Sequence, residues 1–216
     1  MPTSEQSLIP SGQNLTAFDQ KLTTPDSARL SFRLMDRSDA AALFEIDQDP
    51  EVMRYLSAGV CTMMEQIEQR MLPRMLAYRD PELGYGIWQV TTRADCEQLP
   101  SSYIGWILVR PMGFFTENPQ LDNLELGWRF KRESWGFGFA NEAANAVAEA
   151  VVQHAAALHS AANPAKIRYL SALAMTDNLP SIAVMKKLGM QFVCQRLHQD
   201  PMWSAEVVEY RKTLTE

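Results

Sequence analysis

The residues able to do chemistry in this sequence concentrate between Glu125 and Ser181. Gly136 and Gly138 stand in a turn, residues 131–138, between an alternating run from Leu124 to Phe130 and a 3.6-period run that begins at Phe139. A helix starting there leaves its first N–H groups without intrahelical partners and sets the positive end of its macrodipole at the turn. Main chain alone then binds an anion, provided that no side chain blocks the approach, and glycine both keeps that approach open and permits positive φ. A tight strand–helix turn that needs glycine only for packing has the same spelling, and for a bare G-x-G that plainer explanation suffices.

Glu125 is the second candidate. In its run Leu124, Leu126, Trp128 and Phe130 point one way and Glu125, Gly127 and Arg129 the other. A carboxylate on that face requires a cleft or a partner, and Arg129, two residues on, is a partner on the same face. The histidines carry less. His154 and His159 are five apart and do not share a helix face, and His198 stands alone, so no metal or triad chemistry is expected.

Two runs must position these groups. Leu124–Phe130 reads as a strand by its period of two, and the run from Phe139 as a long helix with Ala140, Ala143, Ala144, Val147, Val151, Ala155 and Leu158 on one face. Lys166–Ala174 is a further strand. Strand, helix, strand forces a parallel pair with a right-handed crossover, whose ligands sit beyond the carboxyl ends of the strands. That geometry brings the glycine turn beside Asn178. Pro180 can open the next helix and Gly189 close it.

The rest of the chain sets bounds. At 216 residues it is read as one domain, 25–216, behind a polar lead, 1–24, centred on SLIPSGQN. A net charge of −6 without a Lys/Arg cluster argues against nucleic acid and favours a cationic acceptor. No run approaches the roughly 20 apolar residues of a membrane span, and no secretory leader is evident. Three widely spaced cysteines, Cys61, Cys96 and Cys194, form neither a metal motif nor a disulfide framework, so a cytoplasmic setting is expected. Upstream, a strand over Ala28–Leu34 precedes a helix over Ala40–Asp47, capped from Asp36 or Asp39. Met63–Tyr78 reads as a helix kinked or divided by Pro73, with a methionine stripe read as adaptable core. Strands follow over Gly84–Thr92 and Tyr103–Arg110, and over Gln191–Leu197 and Glu206–Leu214. Phe114 and Phe115 could be buried or could line the acceptor cleft, and burial is the default for such a pair.

The central stretch resembles the acetyl-CoA site of the GNAT superfamily of N-acetyltransferases, whose loop reads Q/R-x-x-G-x-G/A. It is closer still to the Rim-type branch, the ribosomal-protein N-terminal acetyltransferases and their relatives. The resemblance lies in Glu125-Leu126-Gly127-Trp128-Arg129-Phe130 and in Ser134-Trp135-Gly136-Phe137-Gly138-Phe139-Ala140-Asn141-Glu142-Ala143. It extends to RLSFRLMDRSDAAALFEIDQDPEVMRYL near the start and to Asn178, Ser181, Val184, Lys187, Gly189 and Met190 near the end. Glu133 stands where the superfamily favours Gln or Arg, and Phe137 replaces a frequent Lys or Arg. Both departures leave more of the pyrophosphate to the main chain.

This resemblance implies a mixed α/β fold: a strongly twisted central sheet with a splayed parallel strand pair and flanking helices. It implies acetyl-CoA as co-substrate, bound by Trp128, Phe130, Glu133, Ser134, Trp135, Gly136, Phe137, Gly138, Phe139, Ala140, Asn178 and Ser181, with the pantetheine arm in the splay. Glu125 is then the candidate base, acting through water, and Ser181 the proton donor to the leaving thiolate. For Asn178 the plainer role is an N-cap, and for Ser181 a first-turn serine satisfying a backbone N–H. The acceptor is an amine, either a peptide N-terminus or a small molecule, and the protein a monomer or homodimer. The alternative is a non-catalytic acyl-CoA-binding sensor or interaction module on the same fold.

Overall fold

The computed structural model describes residues 22–158 and 166–214. Seven strands form one mixed sheet in the order β1-β2-β3-β4-β5-β7-β6. They are β1 (Leu30–Leu34), β2 (Gly86–Thr92), β3 (Tyr103–Met112), β4 (Gln120–Phe130), β5 (Tyr169–Met175), β6 (Gln191–Asp200) and β7 (Trp203–Thr213). Every neighbouring pair is antiparallel except β4 and β5. That parallel pair is in register only over Asn123↔Tyr169, Leu124↔Leu170 and Glu125↔Ser171, after which the strands part.

Two cores cover the sheet unequally. On one face, α5 (Phe139–Leu158) lays Phe139, Ala143, Ala144, Val147 and Val151 against Leu124, Leu126, Leu170 and Ala172. Its alanines let the helix approach the strands closely, and α6 (Leu179–Lys187) joins the same core through Ile182 and Met185. On the other face α1 (Ala40–Ile46), α2 (Pro50–Ser57), α3 (Met64–Gln66) and α4 (Leu72–Tyr78) cluster at the β1–β3 end of the sheet. Met35, Leu43, Ile46, Ile67, Met75, Tyr78 and Trp106 form that second core. The stretch around Pro73 divides as expected: a π-helical turn, Ile67–Met71, separates α3 from α4. A proline lacks an N–H and crowds the preceding turn, and the wider turn absorbs both effects. Met75 is fully buried, with Met64 and Met71 packed beside it, so the methionine stripe is core.

The expected boundaries shift by a few residues, and β6 and β7 run on into a longer hairpin. Asp36 caps a 3-10 turn, Arg37–Asp39, that leads into α1. Within the expected lead, Leu22 donates its N–H to Pro81 O and packs on the main core, while residues 1–21 lie outside the described residues. So does Pro164, the expected stop after α5. No described helix is long and apolar enough to cross a membrane.

Candidate active site

Gly136 and Gly138 both take left-handed backbone, at φ +85° and +81°. A Cβ at Gly136 would meet nothing within 4 Å, and one at Gly138 only the Arg29 guanidinium at 3.9 Å. The turn is therefore an open surface, and glycine is required there for conformation rather than for packing. The first helical bond of α5 runs from Glu142 N–H to Gly138 O at 3.1 Å, so the earlier N–H groups lie ahead of the ladder. Those of Gly136 to Ala140 donate to no described residue. Such a cradle fits the phosphates of a nucleotide cofactor.

What holds this turn was not legible in the motif. Glu142, in the first turn of α5, accepts from Ser27 Oγ (2.7 Å), Arg29 N (2.9 Å) and Arg29 Nε (2.8 Å). Burial pushes the Glu142 carboxyl up, but these bonds from Ser27 and Arg29 outweigh it and leave its pKa below the usual value. Arg29 also donates through Nη2 to Phe137 O at 3.1 Å and lies 4.4 Å over the Phe139 ring. The cation that Phe137 does not supply thus reaches the turn from just before β1.

The predicted neighbours divide into groups. Trp135 and Phe137 are about half exposed, and Trp135 Nε1–H is committed to Phe130 O at 2.8 Å. Phe130 and Phe139 are buried core, Ala140 packs at the edge of that core, and Glu133 is exposed. Ser134 is buried and gives its hydroxyl to Lys131 O (2.6 Å) within the 3-10 turn Arg132–Ser134.

Across the gap where β4 and β5 have parted, Trp128 Nε1–H donates to Ser181 Oγ at 3.1 Å. Asn178 is the N-cap of α6, and its Oδ1 accepts from Ser181 N–H at 3.2 Å. The plainer role suggested for Asn178 is therefore present. For Ser181 the hydroxyl is instead turned to the indole. With that N–H pointing at a lone pair of the serine oxygen, the Ser181 proton is directed elsewhere and is available to donate.

Glu125 differs from expectation in its partner. It faces Arg110, its register neighbour on β3, which donates to both carboxylate oxygens at 2.9 and 3.1 Å. Arg129 instead pairs with fully buried Asp47 at the end of α1, which also accepts from Thr62 Oγ1. The suggested Glu125–Arg129 pair is thus replaced by two others, because cross-strand neighbours come closer than residues two apart on one strand. Burial works against the Arg110 charge, but Glu125 more than compensates and raises its pKa.

Beside this pair Phe114 and Phe115 are only partly buried, contrary to the expected burial. They pack edge-on against each other at 5.0 Å and against Tyr78 at 5.9 and 6.1 Å. Burial drives the Tyr78 phenol's pKa well up, so it stays protonated. The three cysteines are free, and among the described residues no group of His, Cys, Asp or Glu is arranged to hold a metal.

Comparison with known proteins agrees with this fold. A family model described as an acetyltransferase (GNAT) domain matches residues 29–191. The FsC-acetyl coenzyme A-N(2)-transacetylase of Aspergillus fumigatus is 26% identical over 174 residues, which are 79% of this chain and 66% of that protein. Among solved structures, a GNAT-family acetyltransferase from Bacillus anthracis superposes with a TM-score of 0.62 at 20% identity, over 90% of this chain and 98% of that one. RimL, a ribosomal L7/L12 alpha-N-protein acetyltransferase solved with coenzyme A, gives 0.61 at 14% identity, covering 88% and 97%.

Proposed function

The chain belongs to the acetyltransferase (GNAT) domain family, and from that premise we propose that it is an acetyl-CoA-dependent N-acetyltransferase of the Rim-type branch, acting on a primary amine in the cytoplasm. The observation that carries this reading is the open glycine turn at the start of α5, set beside a gap that Trp128 and Ser181 bridge. Acetyl-CoA supplies the activated acetyl thioester. The N–H groups of Gly136 to Ala140 and the α5 dipole hold its phosphates, with Arg29 as the nearby cation. Asn178 and the gap between β4 and β5 hold the arm that carries the thioester. Ser181 gives its proton to the departing sulfur. Glu125, fixed by Arg110, faces the acceptor and draws off its proton through water.

The acceptor is an α-amine or one of similar acidity. An α-amino group titrates at about 7.7–8.0 and lysine near 10.4, so neutral lysine is rarer by roughly 2.5 units, or about 3.5 kcal/mol. One carboxylate already engaged by an arginine suits the easier deprotonation. The Arg110 grip on both Glu125 oxygens also favours a second reading, a non-catalytic acyl-CoA-binding module.

Turnover separates the two. A thiol-release assay with acetyl-CoA and a panel of free-amino peptides and small amines is expected to show transfer. Binding of CoA without release for any amine would leave the binding module. Two peptides of one sequence, one blocked at its N-terminus and one at its lysine, test the acceptor. Acetylation is expected only where the N-terminus is free.

A further inference from the structure

The tip of the β6–β7 hairpin reaches α4 on the charged face of the sheet. Asp200, at its tip, pairs with Arg74 of α4, and Arg74 lies 3.6 Å from the centre of the Phe115 ring. Arg110, which grips Glu125, lies 5.4 Å from the same ring. One array therefore runs Asp200–Arg74–Phe115–Arg110–Glu125, from β6 to β4, beside the point where β4 and β5 part. His198 stands two residues before Asp200 and so projects from the same strand face into this array. Its ring lies 4.5 Å from that of Trp203 and is 7% exposed, and its Nε2 has no hydrogen-bond partner among the described residues. Buried polar atoms are nearly always partnered, so this buried nitrogen has hydrogen-bonding capacity that the fold leaves unused.

The charges around it set its protonation. Burial lowers the His198 pKa most; Glu125 opposes this, Arg196 adds to it, Asp200 opposes and Arg110 adds. Arg74 neutralises Asp200 from α4, and Arg211 and Arg196 both hold Glu209 of β7. The ring is thus neutral near pH 7, and in the tautomer protonated at Nδ1 its Nε2 is an acceptor. Glu125, by contrast, already accepts an Arg110 N–H on each carboxylate oxygen.

We propose that His198 is where the acceptor's proton comes to rest: the water that serves Glu125 passes it to Nε2. This step rests on the acetyl-transfer reading above. The amine nitrogen bonds to the acetyl carbonyl carbon as the carbon–sulfur bond breaks. Of the three ammonium protons, one travels through water to His198 and on to solvent. A second ends on the sulfur by way of Ser181, and the third stays on the amide nitrogen.

The test compares wild type and His198→Gln using acetyl-CoA and the best amine from the panel, reading kcat/KM against pH. Wild type is expected to show an acid limb below the ordinary histidine value. The variant is expected to lose that limb and roughly 10²-fold of its rate at neutral pH. The deficit should close as pH rises past the amine's own pKa, a rescue that a purely structural role would not give. An active wild type with an unchanged variant profile overturns the role of His198 alone. A wild type that acetylates no amine overturns the acetyl-transfer reading and this step together. A second measurement needs no change at His198: histidine-labelled His154→Gln/His159→Gln protein leaves one imidazole to follow by NMR. Titration below the ordinary value is expected, and a ring protonated through neutral pH overturns the proposal.

Discussion

Glu125 and Arg110 are fixed as a pair by strand register, and each leaves the other exposed to damage. Glu125→Gln should lower kcat by roughly 10²–10⁴-fold while changing the KM for acetyl-CoA little, the range expected for loss of a general base. Steady-state kinetics across pH check this, and wild-type turnover would leave Glu125 a structural partner of Arg110. Ser181→Ala should slow transfer more modestly. Trp128→Phe, which keeps the ring but removes its N–H, should slow it in the same direction by freeing the serine hydroxyl to rotate. Of these contacts only the candidates themselves were legible in the sequence. The alternation around Glu125 marked an odd carboxylate, but its partner lies 15 residues earlier, across a hairpin whose register no local pattern reveals. His198 looked isolated for the same reason, since Glu125 and Arg110, whose charges reach it, come from two other strands.

The turn into α5 is the element whose conformation was clearest from sequence, because positive φ demands glycine. Gly138→Val imposes a β-branched side chain at φ +81° and blocks that approach. CoA should bind at least about tenfold more weakly, the equivalent of about 1.4 kcal/mol, by calorimetry on protein whose circular dichroism is unchanged. Unaltered affinity would remove the turn from the site. The Glu142 tie to Ser27 and Arg29 was invisible, because it joins α5 to a loop more than a hundred residues away. Its carboxyl pKa is depressed in the fold. Its stabilisation is therefore complete above the unfolded value of 4.5 and is lost as pH falls through the lower folded value. Glu142→Gln should cost about 1–2 kcal/mol near neutrality, partial exposure moderating the usual charged-bond range. In denaturant titrations the gap from wild type should narrow as pH drops below 4.5. Pro73 gave away the division of the α3–α4 segment but not its form, since a π-turn depends on how the neighbouring residues pack.

At the scale of the molecule, strand and helix order followed from periodicity, and the parallel β4–β5 pair from the long helix between them. The reach of the β6–β7 hairpin did not, because its Asp200–Arg74 contact with α4 joins residues 126 apart in sequence. Binding to the native state should raise apparent stability by about 2.7 kcal/mol at a hundred times Kd. For a domain of this size that is roughly 5–11 °C in Tm. A thermal scan with and without CoA checks it, and an unmoved transition at saturating CoA would count against the whole site. The short register of β4 and β5 has one more consequence. Beyond Glu125, β4 is an edge strand in the middle of a sheet, with peptide groups that no β5 neighbour meets. An open edge invites another chain to pair with it, but here the Trp128–Ser181 contact bridges the gap. The amides of β4 from Gly127 onward that face away from β3 should therefore exchange with deuterium well ahead of their β3-facing neighbours. They form a row of clocks inside the sheet that slows only when something lies along it.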